Sequence, residues 1–204
     1  MRFTKTLLIS IFFSFNLLGQ ECIHKNLSAN FDFKINLKRI KTSEEFGDSC
    51  LVTFTISSKD QKVNQQLTFG TPYLYEDVFK NCENVRSYKT GVNKNNDVAD
   101  NDYGDLIIED FNFDSLDDFA IKNNSGGNGG PTYSFYVQNK NGQFELDNFL
   151  TNNMEFYPSI INKKKTTLTT FVHASAYEMC KKIYLYDLDK KIWVLKKKSF
   201  VKHM

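Results

Sequence analysis

Short segments that alternate apolar and polar residues recur along this chain and constrain its fold more than any other feature. Phe31–Lys38 and Thr132–Val137 follow this period of two, which places successive side chains on opposite faces of a half-buried β-strand. No long stretch has the helical period, so an all-β, mainly antiparallel fold is predicted, as a sandwich, a barrel or propeller-like blades. Further strands are predicted, from their β-branched and aromatic residues, at 51–56, 63–69, 143–149, 156–161, 166–173, 182–187 and 192–201.

Turn signals separate these strands. Asn141-Gly142 lies between two alternating segments and is a strong hairpin signal, because both residues tolerate positive φ. A second hairpin is predicted over 184–194, and the polar residues 93–102 are predicted to form a loop. Tyr73–Cys82 is ambiguous between a short helix and an edge strand.

The densest chemistry lies in the nine residues from Asp110 to Asp118. Oxygen-bearing side chains stand at loop positions 1, 3, 5 and 9, with Ile107-Ile108 before the loop and Phe119-Ala120-Ile121 after it. Calcium takes six to eight oxygen ligands, and a chain that turns around the ion presents alternate residues to it. The four positions are occupied by Asp110, Asn112, Asp114 and Asp118.

Electrostatics favours a cation at this loop. Two like charges about 4 Å apart cost roughly 4 kcal/mol at an effective dielectric constant near 20, and several carboxylates would converge here. Position 6 is Ser115 where calcium loops usually carry Gly, and position 12 is Ile121 where a helical EF-hand carries Glu. The sequence therefore predicts a strand–loop–strand calcium site, with an acidic surface turn as the alternative.

The N-terminus indicates export. A basic start, an apolar segment Leu7–Leu18 and the small residue Gly19 are typical of a secretory signal peptide, since a membrane span needs about 20 apolar residues. We therefore predict a signal peptide over 1–20, a single calcium-binding β domain over 21–204, a periplasmic or secreted location and no membrane span after cleavage.

The cysteines are even in number, as expected for an exported protein with disulfides. The favoured pairs are Cys22–Cys50 and Cys82–Cys180, although four cysteines permit three connectivities. A zinc site is the lesser alternative, because the sequence has no CxxC spacing and its three histidines are scattered.

Composition and motifs exclude several function classes. Without Arg2 and Lys5 the formal charge falls from +2 to about zero, so nothing indicates the basic face of a nucleic-acid-binding protein. The Gly-rich segment 125–131 precedes a predicted strand, whereas a dinucleotide fingerprint opens a helix, and a flexible strand connection is the simpler interpretation. The sequence lacks the Gly-x-Ser-x-Gly elbow that would indicate a hydrolase. The protein is therefore predicted not to be an enzyme.

Aromatic residues could provide a binding platform. Most of the 19 Phe and 10 Tyr stand at alternating strand positions and are assigned to the core. The residues nearest to loops are candidates for an exposed row that contacts glycan or protein: Tyr103, Tyr133, Tyr157 and Tyr177.

The loop at 110–121, with the Gly-rich segment and the strand Thr132–Val137, resembles the calcium-binding FG-GAP type of repeat in β-propellers. It is also similar to a family of exported bacterial proteins that resemble incomplete propellers. Some members are periplasmic immunity proteins that inhibit the lysozyme-like effectors injected by rival cells. The resemblance covers residues 104–150, and the single copy of the loop argues against a full propeller of calcium blades.

The resemblance implies a Ca²⁺ site and a protein partner. Its ligands would be the side chains of Asp110, Asn112, Asp114 and Asp118, with the carbonyl of Leu116. The implied function is a calcium-stabilised binding protein, an inhibitor or immunity protein against a peptidoglycan-cleaving hydrolase. A cell-surface adhesion or carbohydrate-binding module is the alternative, and a secreted hydrolase is third.

Overall fold

Three β-sheets form the part of the chain that the computed structural model describes, residues 21–40, 49–71 and 84–202. All strand pairs are antiparallel except β5 with β6, which run parallel, so the predicted all-β, mainly antiparallel class is confirmed. The first sheet has the order β1-β2-β3-β4, the central sheet β5-β6-β7-β8-β9 and the last sheet β10-β11-β12-β13. No sheet among the described residues closes into a barrel.

The strand bounds follow the predicted segments in most places. The first sheet contains β1 (Glu21–His24), β2 (Phe31–Ile40), β3 (Ser49–Ser58) and β4 (Asn64–Thr71). The central sheet contains β5 (Val85–Ser87), β6 (Leu106–Glu109), β7 (Asp118–Gly127), β8 (Gly130–Gln138) and β9 (Phe144–Leu146). The last sheet contains β10 (Ile160–Asn162), β11 (Thr167–His173), β12 (Glu178–Asp187) and β13 (Ile192–Lys202).

Two short helical turns interrupt the strands. A π-helical turn spans Leu150–Met154, and a 3₁₀ turn spans Lys163–Lys165. No helix within the described ranges is long and apolar enough to cross a membrane.

The core lies on both faces of the central sheet. Phe119 and Ile121 of β7 pack against residues of the first sheet, whereas Ala120 between them packs towards the last sheet. This alternation follows from the period of two along a strand. The central sheet is therefore buried on both faces, and the architecture is sandwich-like.

A buried ion cluster fixes the segment that leads into β6. Lys122, on β7, is 3% exposed, and its Nζ lies 2.8 Å from Asp105 Oδ1 and 2.9 Å from Asp102 Oδ2. Burial by itself would lower the pKa of Lys122, but the charges of these carboxylates outweigh it and raise the pKa. The ammonium group therefore stays charged and ties residues 102–105 to β7.

The strand register does not support the predicted disulfide between Cys22 and Cys50. Cys22 pairs with Ile35, which pairs with Phe54, so Cys50 lies four residues further along β3. At about 3.3 Å per residue, this offset alone is roughly 13 Å, whereas the Cα atoms of a disulfide lie within about 7 Å. Cys50 and Cys180 are free thiols.

Three other predictions concern residues outside the described ranges. They are Cys82, the signal peptide at 1–20 and the whole of the ambiguous segment 73–82.

Candidate functional site

The predicted strand–loop–strand unit is present. β6 and β7 pair as an antiparallel hairpin whose last pair is Glu109 with Asp118, and the acidic loop connects them. Phe111 is fully buried beside the last sheet. The alternation of polar residues towards the loop interior with apolar residues towards the core is therefore observed at this position.

Asp118 anchors the loop to the backbone around it. Its Oδ2 accepts hydrogen bonds from the backbone N–H groups of Phe111, at 2.8 Å, and Asn112, at 3.3 Å. Its Oδ1 accepts from the N–H of Gln138 on β8, at 2.9 Å. Burial raises the pKa of Asp118 to about 8, against the effect of these three donors, which lower it. A cation nearby would favour the ionised form.

Asp110 has one carboxylate oxygen that accepts no hydrogen bond. Its Oδ2 accepts a hydrogen bond from the backbone N–H of Ser115, at 3.1 Å. Its Oδ1 is buried and has no hydrogen-bond partner, and the residue is only 4% exposed. A buried, unpaired carboxylate oxygen is costly, and burial raises the pKa of Asp110.

The middle of the loop is held by side-chain-to-backbone bonds. Asn112 Oδ1 accepts from the N–H of Asp114 at 3.1 Å, and Asp114 Oδ1 accepts from the N–H of Leu116 at 2.9 Å. Ser115 has a φ of 71°, the left-handed conformation for which calcium loops favour Gly. The loop therefore turns sharply at position 6, although that residue is not Gly.

Two hydrogen bonds occupy groups that a complete calcium shell would need as ligands. The Asn112 side-chain amide donates to Asp114 Oδ2 at 3.0 Å, so these two residues bond to each other. The Leu116 carbonyl accepts from Lys89 Nζ at 3.3 Å, so this predicted ligand faces an ammonium group. Within the described part of the chain, no three His, Cys, Asp or Glu side chains converge on a point where they could hold a metal ion.

The loop residues thus fit a calcium ion in their chemistry and partly in their arrangement. All four predicted side chains carry the hard oxygen donors that Ca²⁺ prefers, and Asp110 Oδ1 is available. A bound ion would have to replace the hydrogen bond between Asn112 and Asp114. Leu116 would contribute only if Lys89 moved.

The predicted row of aromatic residues does not exist as an exposed surface. Tyr133 is fully buried and Tyr157 is 3% exposed, because their rings pack in the core between the central and last sheets. Tyr103 packs against this core, with its ring centroid 4.5 Å from that of Tyr157. Tyr177 is the exception, since it is 81% exposed.

Tyr177 lies on an ordered hairpin tip between β11 and β12. The Ser175 hydroxyl accepts hydrogen bonds from the N–H groups of Tyr177, at 3.2 Å, and Glu178, at 3.1 Å. The backbone N–H of Ala174 donates to the carbonyl of Glu178 at 2.9 Å. The tip is therefore fixed by its own hydrogen bonds while its aromatic side chain projects into solvent.

The Gly-rich segment forms a second tip beside it, between β7 and β8. Asn101 Nδ2 donates to the carbonyls of Gly129 and Phe171, both at 3.0 Å, which joins this tip to β11. A side chain at Gly130, where φ is 88°, would come within 2.2 Å of the Asp100 carbonyl. The segment is therefore closely packed at Gly130, in contrast to the predicted flexible connection.

A cleft separates the two tips. It has a volume of about 530 Å³. Its lining comes from the Gly-rich tip, the loop before β6 and the tip that carries Tyr177: Asp100, Gly127, Asn128, His173, Ala174, Ser175 and Ala176.

Comparison with known proteins gives one structural likeness. No protein-family model matches the chain, and no curated protein matches its sequence. A solved structure described as a Xanthomonas type IV secretion system related protein is similar, with a TM-score of 0.59 and 13% sequence identity, over 90% of this chain and 83% of that one. At this identity the likeness concerns the fold alone.

Proposed function

We propose that this protein is an exported, calcium-stabilised binding protein that inhibits a peptidoglycan-cleaving, lysozyme-like hydrolase and performs no chemistry itself. Inhibition would come from occlusion of the hydrolase cleft by loops that the β-sheets hold in place. The similar structure is described as related to a type IV secretion system, and a role in that setting is part of the proposal.

The calcium part of the proposal is supported mainly by the buried, unpaired Oδ1 of Asp110. Asp110, Asn112, Asp114 and Asp118 would hold the ion. Bound calcium would supply positive charge that offsets the repulsion among the carboxylates. Asp118 would also hold the loop against β8, because its Oδ1 accepts a hydrogen bond from the N–H of Gln138.

The binding part is carried by Tyr177. An exposed tyrosine on a rigid support is an efficient anchor for a protein interface, because it offers a large amphipathic surface and loses little conformational entropy. The hydrogen bonds of Ser175 order the tip before any partner binds, and such preorganisation lowers the cost of association. The neighbouring cleft offers a concave surface beside this anchor.

Tyr177→Ala is therefore expected to weaken inhibition strongly. The protein would be assayed against a panel of lysozyme-like muramidases, lytic transglycosylases and amidases acting on peptidoglycan. For the hydrolase that it inhibits, loss of a central aromatic anchor should raise the inhibition constant about 30-fold, equivalent to about 2 kcal/mol. The measurement is residual peptidoglycan cleavage as a function of inhibitor concentration.

Leu188→Ala is the matched control. Leu188 is also an exposed apolar residue, at 54%, but it lies in the turn between β12 and β13, at the other end of β12. This variant should inhibit like the unmodified protein. Absence of inhibition across the panel at micromolar concentration would contradict the proposed function, and equal inhibition by the Tyr177 variant would contradict the assigned surface.

A further inference from the structure

The last sheet carries a net positive charge that the rest of the chain balances. Residues 160–202 contain eleven lysines and three acidic residues, a formal charge of +8. Residues 21–159 contain 13 lysines or arginines and 21 acidic residues, a formal charge of −8. The near-zero total therefore conceals two regions of opposite sign, and such asymmetry indicates a charged partner.

The strand register divides the last sheet into two faces. Leu168 and Tyr184 are register partners on β11 and β12, and both pack in the core against the central sheet. Their neighbours along each strand therefore point to the opposite, outer face. On β12 and β13 this outer face includes four register pairs: Lys181 with Ser199, Ile183 with Lys197, Leu185 with Val194, and Asp187 with Ile192.

Apolar side chains on the outer face are open to solvent. Ile192 is 47% exposed and Val194 is 39% exposed, and Ile183 and Leu185 beside them are partly exposed. None of the sheets in the described ranges lies beyond this face, because the central sheet packs on the other one. An apolar patch that is exposed and bordered by charge is typical of an interaction surface.

Lysines border this apolar patch. Lys181 and Lys197 lie on the outer face, and a bulge in β13 adds Lys196 beside Lys197. The described carboxylates form no ion pair with any of these three lysines. Asp187 is the acidic residue that the register places on this face, and its Oδ2 lies 3.5 Å from Lys190 Nζ. The charge that is left unpaired on the outer face is therefore positive.

Protection of an edge strand does not account for all of these residues. β13 is the edge of its sheet, and lysines on an edge strand prevent pairing with another chain. Lys181, however, is on β12, an interior strand. The exposed Ile192 and Val194 would favour association and not prevent it. Lysines around exposed aliphatic side chains instead suit a partner that is both anionic and partly apolar.

A lipid bilayer fits this surface better than a second copy or a nucleic acid. Two outer faces in contact would bring regions of like charge together, which is unfavourable. Residues 160–202 contain no arginine, and the phosphates of a nucleic acid offer nothing to aliphatic side chains. A bilayer with anionic headgroups suits both features, because aliphatic side chains enter its acyl boundary while lysines extend their ammonium groups to the phosphates.

We propose that the outer face of the last sheet binds the surface of an anionic phospholipid bilayer, without crossing it. Ile192 and Val194 lie at the boundary between headgroups and acyl chains, and Lys181, Lys196 and Lys197 contact lipid phosphates. Neither a calcium ion nor an inhibited hydrolase is needed for this binding. Inhibition of a hydrolase could therefore fail while lipid binding succeeds, or the reverse.

The test is co-sedimentation of residues 21–204 with sucrose-loaded vesicles; the apolar segment Leu7–Leu18 is left out because it would bind lipid by itself. Vesicles of phosphatidylglycerol mixed with phosphatidylcholine provide the anionic surface, and pure phosphatidylcholine is the neutral reference. We expect saturable binding to the anionic vesicles and binding at least about ten-fold weaker to the neutral ones. Raising the NaCl concentration from about 0.1 M to about 1 M should weaken binding, because the Debye length falls from about 10 Å to about 3 Å.

Two matched pairs of lysines make the result specific to the last sheet. Lys196→Gln with Lys197→Gln should weaken vesicle binding about 25-fold, since each lysine near an anionic surface contributes about five-fold. Lys94→Gln with Lys140→Gln, at exposed lysines outside that sheet, removes the same charge and should bind like the unmodified protein. Both variants should keep its melting temperature, because all four side chains are exposed.

The apolar part of the surface has its own variant. Ile192→Thr with Val194→Thr keeps β-branched side chains on the strand and should weaken vesicle binding about ten-fold. Absence of binding to the anionic vesicles, equal binding to both kinds of vesicle, or equal binding by the Lys196→Gln and Lys197→Gln protein would overturn the proposal. Binding of a DNA duplex without vesicle binding would assign the face to nucleic acid and would also overturn it.

Discussion

Replacing Asp118 by Ala is expected to lower the free energy of unfolding by about 4 kcal/mol. The substitution leaves three backbone N–H groups without the acceptor that they have in the native protein, those of Phe111, Asn112 and Gln138. Each unsatisfied buried donor costs about 1–3 kcal/mol, and the three losses are not fully additive. Urea unfolding in the presence of a chelator would measure this hydrogen-bond contribution apart from any bound metal.

Two variants make the Asp118 result specific. Asp118→Asn keeps one carbonyl oxygen and should lose less stability than Asp118→Ala. Asp60→Ala removes an exposed turn carboxylate that accepts from the Lys62 N–H and should have a smaller effect than either. A loss below about 1 kcal/mol for Asp118→Ala would show that the loop does not depend on this carboxylate.

Phe119→Ala is expected to destabilise the protein by a similar amount, about 4 kcal/mol, through the core. Phe119 is fully buried on β7, and its ring centroid lies 4.9 Å from that of Phe54 and 4.7 Å from that of Tyr136. Removing a buried phenyl ring loses its transfer free energy and leaves a cavity, which together amount to about 3–5 kcal/mol. Equilibrium unfolding in urea measures the change.

Phe200→Ala is the control for Phe119. Phe200 lies on β13 and is 57% exposed, so its replacement should change stability by less than about 0.5 kcal/mol. Similar losses for the two variants would contradict the assignment of the core to the interface between the first and central sheets.

The period of two was sufficient to predict β2 and β8 because burial alternates along much of each strand. β3 shows the same alternation, since every second residue from Cys50 onwards is buried, although its prediction rests on β-branched and aromatic residues. β10 is shorter than predicted, since Phe156 makes only an isolated bridge with Thr132 and Pro158 lacks a backbone N–H group. β9 ends early because Asp147 accepts from the N–H of Leu150 and starts a turn.

The candidate site was predictable only as far as local spacing reaches. The polar positions of the acidic loop are sequence neighbours, so their alternation could be read directly. The contact of Lys89 with the Leu116 carbonyl joins residues 27 positions apart, and no local pattern encodes it. Tyr133 was wrongly assigned to an exposed row, although it stands two residues before the buried Phe135 and therefore shares its face of β8.

The two hairpin tips illustrate the same limit. The composition of segment 125–131 indicates a connection, but its packing depends on Asn101 and Asp100, which approach it from a distant loop. A pocket between the central and last sheets is lined by Tyr88, Tyr103, Glu109 and residues 157–163, which are four separate stretches of the chain. Such sites depend on how the sheets stack, and alternation within one strand carries no information about stacking.

The most direct test of this account is a calorimetric titration of Ca²⁺ into residues 21–204 after treatment with a chelator. We expect one ion to bind per chain, and Asp110→Asn to abolish or strongly weaken binding, because it removes the charge from the carboxylate whose Oδ1 is unpaired. Asp60→Asn, in a turn of the first sheet, should bind like the unmodified protein. The absence of calcium binding, or equal binding by the Asp110 variant, would contradict a calcium site in the loop between β6 and β7.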